Sequence, residues 1–208
     1  MKKLLVLLFS FFLFSSHYVF ADDISDFSIE GISIGDSLLD YMTEDEILEE
    51  IELNKNDYLY LKEPNKYAQI YFWEVLPTYD NGLSVFIKNN PTNQYISNKN
   101  EKYIILSIYG TMHFVEDFDG CIQKRDEIIG ELSKMFPNTQ KSDVFFKHAA
   151  DPSGNSIVDA LYFEHDSGAE IETSCDNFEE TFRIKNNWSE GLNVSISSAE
   201  TTSWLRNQ

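Results

Sequence analysis

At 208 residues, 42% hydrophobic and 25% charged, the chain is long enough for one sizeable domain or two small ones. Its 35 acidic residues against 16 basic ones give a formal charge of −19. Phosphate backbones and anionic lipid repel such a surface, which excludes nucleic acid as a main partner. The charge supports solubility, and it also attracts cations and basic proteins.

The chain opens with Lys2 and Lys3, an apolar run over residues 4–14, a polar Ser15-Ser16-His17 patch, and Val19-Phe20-Ala21 before Asp22. Charged, then apolar, then small residues at the −3 and −1 positions make a secretory signal peptide over residues 1–21. An apolar stretch of about 11–12 residues is well short of the ~20 that a spanning helix needs. The mature chain is then residues 22–208, and losing Lys2 and Lys3 takes the formal charge from −19 to −21. A lipoprotein needs a cysteine at the cleavage point, but the cysteines are Cys121 and Cys175, so no membrane anchor is expected. The expected location is periplasmic or extracellular. In that oxidising setting Cys121 and Cys175 are expected to form one disulfide, which stabilises the fold by roughly 4 kcal/mol on the chain-entropy account.

Residues 27–34 alternate loosely and predict a strand broken at Gly35. Asp36-Ser37 can cap a short helix that carries Leu38, Leu39, Tyr41 and Met42. Thr43-Glu44-Asp45-Glu46 is a capping box, and the helix it opens runs to about Asn54, with Ile47, Leu48 and Ile51 opposite a row of glutamates. Strands are predicted at 58–62 and at 67–76, the second rich in aromatics and stopped by Pro77. Asn81-Gly82 signals a hairpin into 83–88, and residues 89–100 form a polar loop that is the best candidate for a linker or a mobile loop.

The clearest strand spans 103–115. Ile104, Leu106, Ile108, Met112 and Phe114 fall on one face, Ser107, Tyr109, Thr111 and His113 on the other. Asp119 can cap the next helix, which runs to about Phe136 and stops at Pro137. Strands follow at 143–149, 157–165 and 169–175, with turns at 151–155 and 166–168, then a strand at 192–198 and a short helix over 199–206. A helical segment followed by about four strands thus occurs twice, over 36–115 and 119–198, without matching residues. The expected fold class is α+β: antiparallel sheet with helices packed on one face, two helix-plus-meander halves, one mature domain.

The stretch Ile32-Ser33-Ile34-Gly35-Asp36-Ser37, followed by tandem short helices and a strand meander, resembles the ααβββ module of outer-membrane-assembly lipoproteins and β-lactamase-inhibitor-like proteins. The resemblance covers residues 32–88, without the lipoprotein cysteine or the usual Gly-x-Pro after the helices. Residues 29–39 also resemble exported, uncharacterised proteins of AT-rich marine bacteria, a likeness that implies no activity.

Signatures of chemistry are sparse. His113, His148 and His165 show no metal-ligand spacing, so neither a metal nor a cofactor is expected. The oxygen-rich run 151–159 fails as a calcium loop, since its sixth position is Ser156 and its twelfth is Tyr162. No nucleophile elbow, zinc-protease helix or phosphate loop occurs, and no catalytic residue is nominated. Glu170 and Glu172 share a strand face, as glycosidase carboxylates could, but 35 acids make such pairs common by chance. Candidate binding residues are Tyr71, Trp73, Tyr109 and His113, because exposed aromatics offer a large rigid contact area. The expected function is a non-catalytic binding or interaction module with a protein, peptide or small-molecule partner. The alternative is a secreted or periplasmic hydrolase, signalled by His113, His148 and an acid converging in a cleft.

Overall fold

A computed structural model describes residues 24, 27–56, 66–72, 83–90 and 92–207. The leader, the predicted strand at 58–62, Trp73 and the Asn81-Gly82 turn lie outside these residues.

The alternating segments become strands because every second side chain can enter one core. β1 (Ser28–Ile29) and β2 (Ile32–Ser33) form a small hairpin. β3 (Tyr67–Phe72), β4 (Leu83–Lys88), β5 (Ile105–His113), β6 (Gln140–Lys147), β7 (Ile157–Glu164), β8 (Glu170–Asn177) and β9 (Gly191–Ser197) make one seven-stranded sheet in the order β3-β4-β5-β9-β8-β7-β6. All its pairings are antiparallel. The helices are α1 (Glu44–Asn54), α2 (Phe118–Met135), α3 (Glu180–Asn186) and α4 (Ala199–Leu205). The fold is α+β, as the sequence predicts.

α1 packs on β3, and α2 packs on β8 and β9. Ile47 of α1 and Leu132 of α2 are buried against a sheet layer that includes Ile70, Val85, Ile108, Ile171 and Ile196. Each such side chain taken from water stabilises the fold by about 1.5–3 kcal/mol. Cys121 on α2 is disulfide-bonded to Cys175 on β8 across a Cα–Cα distance of 6.0 Å. Arg125, buried on the same helix, pairs with Asp159 of β7.

Local signals place several boundaries. The Thr43 side chain accepts from Glu46 N–H, and Glu46 accepts from Thr43 N–H at 2.8 Å, completing the capping box. Ser37 caps a 3-10 turn at Leu38–Asp40. Elsewhere the structure departs from the sequence reading. Residues 27–34 fold back on themselves instead of running straight, because Glu30 (φ 54°) and Gly31 (φ 83°) take left-handed conformations. Asp117, not Asp119, caps α2, accepting from Gly120 N–H at 3.0 Å. The loop 89–100 is no linker: it joins adjacent strands of one sheet, and its Lys99 carbonyl accepts from Ser37 Oγ at 2.8 Å. The predicted alternation of the 103–115 strand breaks at Leu106, where a bulge lets Ile87 face Ile105 while Phe86 faces Ser107. Ile105, not Ile104, therefore fills the core.

An open sheet face with an acidic groove

The face turned away from α1 and α2 is built from the other half of each strand. Cross-strand register aligns its side chains in rows. One row runs Tyr71, Ser84, Tyr109, Ser195, Glu172, Tyr162 from β3 to β7. The next runs Gln69, Phe86, Ser107, Ser197, Glu170, Glu164. Serines in the central strands leave a trough that aromatic and acidic side chains border.

α4 closes one side of this trough. The bulge positions it, since the Leu106 carbonyl accepts from Ser198 N–H at 2.8 Å just before the helix begins. Trp204 stacks 4.4 Å from the Tyr67 ring and 6.4 Å from that of Phe86. Glu200 accepts from Tyr67 at 2.9 Å and from Lys88 at 3.0 Å. Between helix and sheet lies a groove of about 380 Å³, with Phe86 and Tyr109 from the sheet, Thr202, Leu205 and Arg206 from the helix end, and Glu170 and Glu172 at its floor.

The groove is rich in acceptors. Ser107 Oγ donates to the Ile196 carbonyl at 2.8 Å, which uses up its proton. Gln69 donates from Nε2 to Ser84 Oγ at 3.2 Å, while its Oε1 is buried without a hydrogen-bond partner among the described residues. Thr202 Oγ1 is likewise buried and without a partner among the described residues. Glu172 is half-buried, and burial raises its pKa to about 6. Hydrogen bonds with Ser174 and Tyr162 pull that value down, and neighbouring Glu170 and Asp176 push it up. Burial also raises Glu170, although Arg206 Nη2 donates to it at 2.5 Å and works in the opposite direction. The Tyr162 hydroxyl is pushed up by burial and by the charges of Glu172 and Glu170. Farther along β8, burial raises Asp176, opposed by the bond it accepts from Asn193 at 2.7 Å.

Of the sequence candidates, Tyr109 lines the groove at 40% exposure, and Tyr71 lies in the same row. His113 stands on the same face at the far end of β5, opposite Gly191. A Cβ at Gly191 would fall on the Met112 carbonyl, so glycine is what permits that close pairing of β5 and β9. Trp73 lies outside the described residues. His148 is held in an aromatic cluster, 5.3 Å from Phe178 and 5.1 Å from Trp188 by ring centroids. His165 packs on Phe136 at 5.0 Å. Among the described residues no histidine or cysteine lines the groove, and no three His, Cys, Asp or Glu side chains gather as a metal site.

The 151–155 turn is explained by its own bonds. Burial alone would raise the Asp151 pKa, but donors from Ser156 and Ser153 outweigh it and hold the carboxyl well below its ordinary value. Compared with protein-family models, curated proteins and solved structures, the chain matches none. Gln69, Phe86, Thr202 and Arg206 were not legible as site residues, because only the sheet order brings them together. The paired Glu170 and Glu172, and the serines alternating along 193–197, were the available signal.

Proposed function

We propose that this chain is an exported, non-catalytic binding module whose open-face groove takes a cationic, hydrogen-bond-donating group of a peptide or small ligand. The observation that carries this reading is Glu172, a groove carboxylate with no cationic side chain bonded to it among the described residues; the Gln69 Oε1, across the groove on β3, is a further acceptor of the lining. The Glu172 carboxylate in a partly dry site favours an ammonium or guanidinium, and the aromatic rings of Tyr109 and Phe86 line the same groove. Arg206 offsets the charge of Glu170 and leaves that of Glu172. The hydrolase alternative has less behind it, because the two groove carboxylates come from one strand and no histidine lines the groove among the described residues.

Export is supported by the leader pattern of residues 1–21 together with the Cys121–Cys175 bond. Among the described residues, no helix is long and apolar enough to cross a membrane. Within residues 32–88, the likeness to ααβββ modules draws support from the 3-10 turn, α1 and the β3–β4 pair.

Titration calorimetry with trilysine, and with trialanine as a control, tests the reading. Trilysine is expected to bind and trialanine not to. Glu172→Gln should weaken trilysine binding roughly tenfold or more, the loss of one charge-assisted hydrogen bond. Affinity should also rise with pH as Glu172 ionises. Equal affinity of wild type and Glu172→Gln for trilysine would overturn the proposal.

A further inference from the structure

Among the described residues the sheet has two unlike edges. On β3, Tyr67, Ala68, Gln69 and Ile70 are buried, whereas every residue of β6 except Ser142 is exposed, Phe145 at 63%. An edge strand of that kind presents a row of unpaired N–H and C=O groups. Which residues present them follows from the β6–β7 hairpin. His148 N–H donates to the Ser156 carbonyl at 2.9 Å, so alternate residues back along the strand, Phe146, Val144 and Ser142, bond to β7. The backbone groups of Lys147, Phe145 and Asp143 then point outward.

These residues are complementary to themselves. In an antiparallel pairing with a second copy centred on Phe145, Asp143 meets the copy's Lys147 and Lys147 meets its Asp143. Val144 meets the copy's Phe146 on the opposite face, and Phe145 meets Phe145 at the axis. The neighbouring registers are poorer. Centring on Val144 sets Lys141 against Lys147, centring on Asp143 opposes two aspartates, and centring on Phe146 sets Phe145 against Lys147. Among the described residues neither Asp143 nor Lys147 has an ion-pair partner within its own chain.

We propose that β6 is the interface between two copies of this chain, paired antiparallel about Phe145 on a two-fold axis, so that two sheets join into one. The formal charge of −19 opposes general association, which makes the match of Asp143 with Lys147 the element that selects this contact. The groove lies away from β6, so the pairing neither needs nor blocks it.

Sedimentation equilibrium of the purified protein across a concentration series tests this. The expected result is a reversible dimer. Asp143→Lys alone and Lys147→Asp alone should each weaken it about tenfold, since every substitution is met twice across the axis. The double variant Asp143→Lys with Lys147→Asp should restore it, and Phe145→Lys should abolish it. Circular dichroism checks that each variant folds. A monomer at all concentrations, or a dimer indifferent to both single charge reversals, would overturn the proposal. So would failure of the double variant to recover. None of these results depends on whether trilysine binds.

Discussion

The two faces of this sheet use the same strands for opposite ends. Toward α1 and α2 the rows are Ile70, Val85, Ile108, Ile196 and Ile171, all buried. One residue along each strand, the opposite face carries Gln69, Ser84, Ser107, Ser195 and Glu172. Because the side-chain period is two, a single backbone can be a core wall on one side and a recognition surface on the other. The difference also separates the energetics. The covered face holds the molecule together, and the open face tolerates a raised carboxyl and unpartnered acceptors that a core would not.

The contrast can be broken or sharpened by substitution, beginning with the staple of the covered face. Replacing both Cys121 and Cys175 with alanine is expected to lower stability by about 4 kcal/mol, read as a shifted urea midpoint. A smaller but sharper comparison uses adjacent residues of β5. Ile108→Ala should cost about 2–5 kcal/mol through the cavity it leaves, whereas Tyr109→Ala should cost under about 1 kcal/mol while weakening trilysine binding.

A last effect has the opposite sign. Burial holds the Glu172 pKa at about 6, above its ordinary 4.5, so the fold favours the protonated form. The stability this gives is present below the ordinary pKa and is lost as pH rises through about 6. Glu172→Gln, permanently neutral, should therefore match wild type near pH 4 and exceed it at about pH 7 by roughly 1–2 kcal/mol. Paired urea melts at the two pH values check this. A variant that binds cations less well yet folds more tightly is what a site built for recognition should yield.

How much of this was legible in the sequence depends on the range of the interactions involved. The capping box at Thr43 and Glu46, the stop at Pro137 and the alternation along 192–198 are local, and the structure reproduces each. Leu106 could not be read as a bulge, since its shift is relative to Phe86 and Ile87 on another strand. α3 escaped notice because its cap is a glutamate, Glu179, and its exposed residues show no clear apolar stripe. The groove is the most non-local feature of all. It needs β9 to insert between β5 and β8, which brings Ser195 beside both Tyr109 and Glu172. Sequence reasoning found Tyr71 and Tyr109 as aromatics and Glu170 and Glu172 as a pair, but strand order alone joins them in one place.

The central claim is that Glu172 is a partly desolvated carboxylate awaiting a cation. Its side-chain carboxyl can be followed directly by NMR during a pH titration, with and without trilysine. The account predicts a midpoint near 6 in the free protein that moves downward when the peptide is bound. An ordinary carboxylate midpoint, unchanged by trilysine, would contradict it.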